Sequence, residues 1–494
     1  MKIYLIGHDY KYAVEQMIST LFPGEGPEYT EGVEDAILSV SLSKGKKYVT
    51  SVCRYHSGEI ITTGRAAVKT ELLTDENETD RKCQYIIKNA MYRAIRSSGM
   101  ARLPWGALTG VRPGKLMSSL IRLADSGTEE GRRSAAVNGF MKRYDVTRER
   151  AELCYETSLA TLNAEMSLEE KDICLYVGIP FCPTRCAYCS FVSQSVEKSM
   201  KLVEPFFSAL KEEIWATAAQ IRKCGLRPVS VYFGGGTPTT LSAGQLEELC
   251  ALLYEVFDLA ALREFTVEAG RPDTITVEKL ETLKKFGIDR LSVNPQTMQD
   301  SVLKAIGRRH TAEDVKRALS MVREIGGFHV NMDLIAGLPS DTVSGFRNTM
   351  ETVLSLNPEN ITVHTLSLKR GSSLLTEGGQ IPTAAEVSEM LETAYAGLRS
   401  AEYSPYYLYR QKNMSGGFEN TGWTRPGFVN LYNICIMEEL CSILAMGGGG
   451  STKLISPGKG KNIRIMAPKY PLEYIQQIGE TCREKEKIGE FYGI

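Results

Sequence analysis

The chain has 494 residues, past the size at which one hydrophobic core keeps growing, so two or three packed domains are expected. With 43% hydrophobic and 24% charged residues, its composition excludes a disordered or membrane-embedded chain. Its 58 basic and 59 acidic residues nearly cancel, which excludes the broad positive field of a general nucleic-acid binder.

The opening MKIYLIGHDYKYAVEQ has an apolar run that reaches His8 and Asp9 too soon for a secretory signal core. No stretch approaches the ~20 apolar residues of a spanning helix, so a cytoplasmic chain without a membrane span is expected. Thiols stay reduced in that compartment, and the 12 cysteines read as metal ligands or small core residues. Cys53, Cys83, Cys224, Cys250 and Cys435 are expected to stand alone in apolar surroundings.

Residues 1–165 read as an N-terminal α+β accessory domain, with a strand over 2–7 and a helix over 12–21. Strands over 36–43 and 47–54 flank the tight Lys44-Gly45-Lys46 turn as a hairpin, and the remainder is predicted helical. The run WGALTGVRPGK (105–115) is not a phosphate loop, because its spacing is short and Leu116 stands where a metal-binding hydroxyl is needed. Lys142, Arg143, Arg148 and Arg150 read as a solvated helix face.

Over 166–380 short strands alternate with amphipathic helices, the pattern of consecutive parallel βαβ units. Six strands are predicted, over 173–179, 229–233, 264–268, 289–293, 329–335 and 361–368. The helices between them repeat apolar residues every three or four positions, as in Phe207, Leu210 and Ile214. Thr311 with Asp314 forms a capping signal, and Gly287 ends a helix before the fourth strand. The fold class is therefore α/β, a partial (β/α)6 barrel. Residues 381–494 form a C-terminal α/β extension expected to cover it, with a helix near 384–398 and glycines at 447–450.

The chemistry concentrates in CPTRCAYC, where Cys182, Cys186 and Cys189 follow the first barrel strand as C-x3-C-x2-C. Three such thiolates can hold three corners of a 4Fe-4S cluster and leave the fourth iron open to the amino and carboxylate groups of a ligand. The loop alone leaves zinc open as well, although zinc asks for a fourth protein ligand. The strand ends decide between them, because in a parallel barrel they converge on one face. There the sequence places Gly234-Gly235-Gly236-Thr237-Pro238, Glu268, Asn294-Pro295-Gln296, Asp333 and His364 to Ser367. The glycines let backbone amides approach a methionine moiety. Glu268 can accept hydrogen bonds from ribose hydroxyls and offset a sulfonium charge, and Tyr188 can stack on an adenine ring.

The segments ICLYVGIPFCPTRCAYCSF, VYFGGGTPTTL, EFTVEAGRPD, GIDRLSVNPQ, IGRRH and NMDLIAGLP together resemble the radical S-adenosylmethionine (SAM) enzymes related to oxygen-independent coproporphyrinogen III oxidase. The YLYRQKN and YNICIMEE blocks and the long N-terminal module resemble its Z-type branch. The resemblance implies that Cys182, Cys186 and Cys189 bind the cluster and that Tyr176, Gly235 and Glu268 contact the cluster-bound SAM, with Tyr176 and Glu268 as the catalytic pair. It also implies a second SAM at Tyr188, Gly236, Thr237, Gln296, Arg308, Asp333 and Ser367, with the glycine run near Ser451 touching the ligand.

The activity implied is oxidative decarboxylation of coproporphyrinogen III in haem biosynthesis, in which a 5'-deoxyadenosyl radical takes a propionate β-hydrogen. Implied partners are a tetrapyrrole and an electron donor such as flavodoxin or ferredoxin. Lys369, Arg370, Arg410 and Lys412 are placed as a basic rim for the tetrapyrrole carboxylates. Two departures bear on the substrate: Gly178 stands where the oxidase has histidine, and Phe191 where it has a further cysteine. Phe191 is shared with a sister group that binds and delivers haem, but that group has a C-terminal histidine motif and this chain has no histidine after His364. Haem delivery, and radical methylation or ring opening of haem, therefore stand as alternatives.

Overall fold

The computed structural model describes residues 1–189, 194–367, 380–411, 415–456 and 462–493. The chain gathers into two compact units, Met1–Tyr155 with Arg410–Phe418, and Glu156–Tyr409 with Glu419–Ile494.

In the first unit five strands form a sheet in the order β2-β1-β3-β4-β5. They are β1 (Lys2–Ile6), β2 (Glu28–Tyr29), β3 (Leu38–Lys44), β4 (Tyr48–Ser57) and β5 (Ile60–Lys69). The hairpin is β3 against β4, but the stretch that follows is not all helical, since β5 pairs with β4 over its full length. Its inward residues are Gly64, Ala66 and Val68, too small to register as a hydrophobic alternation, and the turn rests on Gly58 at φ +62°. The smallness has a use. A Cβ at Gly64 would lie 2.0 Å from the Ala90 carbonyl oxygen, so the helix Glu76–Arg96 packs directly on the strand.

Arg410 belongs to this unit, where it is buried. Its guanidinium donates to the carbonyls of Leu108 and Gly417 and lies over the Trp105 ring, 5.3 Å from its centre. That corrects the expected basic rim: Arg410 is committed to backbone oxygens. Lys369, Arg370 and Lys412 lie outside the described residues, as does Phe191.

The second unit holds β6 (Asp172–Ile179), β9 (Arg227–Gly235), β10 (Glu264–Glu268), β11 (Arg290–Ser292), β12 (His329–Ala336) and β13 (Asn360–Thr365), each parallel to the next. These are the six expected barrel strands. Between β6 and β9, the short β7 (Phe181–Cys182) and β8 (Gln194–Ser195) form a separate two-stranded ribbon. The apolar residues of the six parallel strands suit a sheet covered on both faces, and each buried Val, Leu or Phe contributes roughly 1.5–3 kcal/mol. Thr311 and Asp314 form a reciprocal capping box, and Gly287, at φ +67°, follows the helix Val277–Lys285.

The segment after 380 adds five strands to this same sheet. β14 (Ser404–Tyr409) and β15 (Asn420–Thr424) extend the β13 side, while β16 (Ser442–Gly447), β17 (Ser451–Leu454) and β18 (Ile463–Met466) extend the β6 side. The sheet stays open, with β14 and β18 at its two edges. Pairing of β16 with β6 sets Gly447 opposite Gly178. A buried charge pair anchors that pairing. Lys485 Nζ lies 2.6 Å from Glu213, whose carboxylate also accepts from the Gly447 amide at 2.7 Å and from the Tyr474 hydroxyl.

Among the described residues, no helix is long and apolar enough to cross a membrane. Cys53, Cys83 and Cys250 are buried core thiols. Cys435 does not stand alone, however, because it meets Cys174 and Cys441 in the interior.

Candidate radical-SAM site

Where β6 ends, the chain turns through Pro180 into the ribbon of β7 and β8, and the cysteine loop lies between those two short strands. Cys182, Cys186 and Cys189 are half-buried, whereas most other cysteines are fully covered. Two neighbouring loops fix the backbone around them. The Gly236 and Thr237 amides donate to the Ile179 and Phe181 carbonyls at 2.8 and 2.7 Å, and the Ala187 amide donates to the Ile306 carbonyl at 3.0 Å. Gly235 sits at φ +110°, and a Cβ on Gly236 would lie 2.4 Å from the Phe181 carbonyl oxygen. The glycine run is therefore required for the β9 loop to lie flat on the cysteine loop.

Thr237 donates its hydroxyl to Cys182 Sγ at 3.5 Å. Arg271, in the EAGRPD segment just past β10, is buried here. Its guanidinium reaches Cys186 Sγ at 3.9 Å, the Thr184 hydroxyl at 3.1 Å and Asp273 at 3.2 Å. A buried cation thus stands beside the second loop thiol. Its position just past the end of β10 was the signal available in the sequence.

Across the face, Glu268 ends β10 and accepts from the Tyr232 hydroxyl at 2.6 Å. Burial pushes its carboxyl up to about 7, against that hydrogen bond and with help from nearby Asp333. Tyr176 on β6 and Tyr232 on β9 stack with ring centres 6.2 Å apart, and burial raises the Tyr176 phenol. Asp333 on β12 accepts from Asn294 and Asn331, each at 2.8 Å, and lies 3.9 Å from His364 Nε2. Burial alone would raise the Asp333 carboxyl, but His364 and these donors hold it below the usual range.

Gln296 adopts the left-handed region at φ 67°, fixed by hydrogen bonds with the Asp333 and Ile335 backbone at 2.9 and 3.0 Å. A non-glycine residue held there is a constrained backbone position of the kind that gathers at ligand sites. Arg308 donates to the Asn294 carbonyl at 2.7 Å and to the Tyr188 hydroxyl at 3.1 Å, tying Tyr188 to the β11 loop. Ser367 lies two residues beyond the end of β13. The cluster and SAM residues named from sequence thus all lie in the second unit, Tyr176 and Asp333 within β6 and β12, Cys182, Gly235 and Glu268 at the ends of β7, β9 and β10, and the others on loops.

Ser451 opens β17, one residue past the glycine run. The run lies against the end of β6: a Cβ at Gly447 would meet the Gly178 carbonyl oxygen at 2.1 Å, and one at Gly178 would lie 3.2 Å from the Gly448 carbonyl oxygen. Gly178 is accordingly a packing requirement of this sheet, and a histidine side chain there would displace the run.

The donor set fits an iron–sulfur cluster with SAM. Three accessible thiols share one loop beside a buried cation, a glycine cradle leaves backbone bare, and a carboxylate stands at the next strand end. A parallel sheet with such a loop at its first strand defines a radical SAM protein, and residues 176–353 match the Radical SAM superfamily.

Within that superfamily the chain belongs to the family of oxygen-independent coproporphyrinogen-III oxidase-like proteins. It is 36% identical over 500 residues to the "Oxygen-independent coproporphyrinogen-III oxidase-like protein HemZ" of Bacillus subtilis, covering 99% of this chain and 98% of that protein. It is also 32% identical to the "Heme chaperone HemW" of the same organism, over 65% of this chain and 82% of that one. Among solved structures, coproporphyrinogen III oxidase (HemN) from Escherichia coli shares the fold with a TM-score of 0.52 at 24% identity, covering 66% of this chain and 73% of that one.

Proposed function

We propose that this protein is a radical SAM oxidoreductase that oxidatively decarboxylates coproporphyrinogen III, removing from each reacting propionate a β-hydrogen atom, then carbon dioxide and one electron, which passes to an external one-electron acceptor, to leave vinyl groups. The full-length likeness to a coproporphyrinogen-oxidase-like protein supports the tetrapyrrole substrate class. The observation that carries the chemistry is Glu268, a half-buried carboxyl at a strand end beside the glycine cradle, hydrogen-bonded to the Tyr232 hydroxyl at 2.6 Å and with its pKa pushed up to about 7.

In this reading Cys182, Cys186 and Cys189 hold a 4Fe-4S cluster, and Tyr176, Gly235 and Glu268 hold the SAM bound to it. When bound, the pair supplies a carbon-centred radical able to take a hydrogen atom from an unactivated carbon. Arg271 fixes the cysteine loop through its contacts with the Thr184 hydroxyl and Cys186 Sγ. Glu268 accepts from ribose hydroxyls, and its carboxylate form offsets the sulfonium charge. Tyr232 orients that carboxylate through its 2.6 Å hydrogen bond. Tyr188, Gly236, Thr237, Gln296, Arg308, Asp333 and Ser367 line the place for a second SAM. Arg308 holds the Tyr188 ring in one orientation, and the two asparagines do the same for Asp333. An electron donor such as a flavodoxin or ferredoxin supplies the reducing electron.

The test is anaerobic incubation of the iron- and sulfide-loaded chain with coproporphyrinogen III, SAM and a reductant. Carbon dioxide, 5'-deoxyadenosine and vinyl-bearing tetrapyrrole are the expected products. The likeness to the haem chaperone supplies a second reading, haem delivery. Stoichiometric haem binding with no carbon dioxide released would select it.

A further inference from the structure

Away from the strand-end face, three cysteines from distant parts of the sequence meet inside the second unit. Cys174 lies on β6, Cys435 on the helix Leu431–Glu438, and Cys441 just before β16. All three are buried, and their sulfurs lie within 4.8 Å of one another, with Cys174 and Cys441 at 3.6 Å.

The spacing selects what such a group can hold. At the ~2.3 Å metal–sulfur length of thiolate sites, sulfurs around one three-coordinate ion stand about 4 Å apart. A four-iron cluster binds each thiolate to a different iron and spreads them further, so this trio is matched to a single ion. Among the described residues no histidine or carboxylate joins the group. Soft thiolates suit copper(I), zinc and iron–sulfur clusters alike, but zinc completes its structural sites with a fourth protein ligand, so a shell of three sulfurs fits copper(I).

The surroundings agree. Tyr432 and Ile443 pack against the trio and Leu168, Leu431 and Leu440 cover it, a dry shell suited to a soft monovalent ion. The carboxylates on this side are already paired, Asp172 with Arg227 at 2.6 Å and Glu264 with Arg290 at 3.5 Å, so the pocket carries little charge of its own.

We propose that Cys174, Cys435 and Cys441 form a second metal site, separate from the cysteine loop, that takes one copper(I) ion in a three-sulfur shell. Binding releases the thiol protons and transfers no electron, since the ion enters in its reduced state.

The test uses the full chain with the loop emptied (Cys182→Ala, Cys186→Ala, Cys189→Ala), titrated anaerobically with copper(I) against a chromophoric chelator. One ion per chain should be retained, and X-ray absorption should show three sulfurs around it. Cys174→Ser, Cys435→Ser or Cys441→Ser should each weaken retention by more than the ~10–100-fold that loss of an outer-shell partner costs. Cys250→Ser, at a buried lone thiol, should leave it unchanged. Where a serine variant fails to fold by circular dichroism, the absorption spectrum of the loop-emptied chain still judges the site. A shell containing nitrogen or oxygen, copper lost to the chelator, or equal retention in the trio variants overturns the proposal. Preferential uptake of zinc does the same.

Discussion

Two groups of three cysteines divide this molecule. Cys182, Cys186 and Cys189 fall within eight residues of one loop, half-buried, with the Arg271 guanidinium 3.9 Å from Cys186. Cys174, Cys435 and Cys441 span more than half the chain, yet lie buried within 4.8 Å of one another among apolar and aromatic side chains. The difference shows that cysteine chemistry follows surroundings as much as count. An accessible loop next to a cation can receive a large cluster and leave one iron open to a ligand. A closed apolar pocket offers room for a single ion.

The sharpest way to break this comparison is to empty each trio in turn. Cys186→Ala should abolish iron incorporation, seen by Mössbauer and electron paramagnetic resonance, and lower SAM cleavage below detection. Cys435→Ser should leave both intact. Loss of the iron centre in the second variant would mean that the two trios are not independent.

Next in size is a stability effect on the interior side. Lys485 pairs with Glu213, which is wholly buried, and also donates to the Ala445 carbonyl on β16 at 2.7 Å. Lys485→Met leaves that carboxylate uncompensated and should cost about 3–5 kcal/mol in denaturant unfolding.

On the loop side, Glu268→Gln should weaken SAM binding by about 10–100-fold, the loss of a charge-assisted hydrogen bond of roughly 1.5–3 kcal/mol. The pH dependence has a fixed sign. With its carboxyl pushed up to about 7, Glu268 protonates as pH falls through that value, so SAM affinity should drop on the acid side by up to about tenfold per pH unit. Glu268→Gln should flatten that profile. Because a raised carboxylic pKa favours the folded state only while protonated, the same variant should melt higher than the parent at pH 8.

The smallest effect is electronic. Arg271→Leu removes a buried positive charge beside Cys186, so the cluster should bind iron yet be harder to reduce, its potential shifting negative in a redox titration. An unchanged potential would mean that the guanidinium serves only to tie down Thr184 and Asp273.

Much of this molecule was legible in one dimension because its signals are local. The six barrel strands are continuous apolar runs ended by glycine, asparagine or acidic residues. The Thr311–Asp314 box is a three-residue rule, and the cysteine loop is an eight-residue word. β5 escaped because its inward positions are Gly64, Ala66 and Val68, chosen for the close approach of a helix rather than for hydrophobicity. Arg410 was misplaced because a cation in a tyrosine-rich segment looks solvated until the carbonyls it serves are seen.

By itself, then, the sequence determined the parallel α/β barrel and the loop that would carry the cluster, since both are written in short-range periodicity and spacing. The tertiary structure alone decided which distant residues share a pocket. It set Gly447 against Gly178, brought Arg271 to the loop thiols and gathered Cys174, Cys435 and Cys441 in the interior. The physical reason is that strand pairing and burial, which fix those meetings, depend on the whole sheet and leave no mark at a fixed distance along the chain.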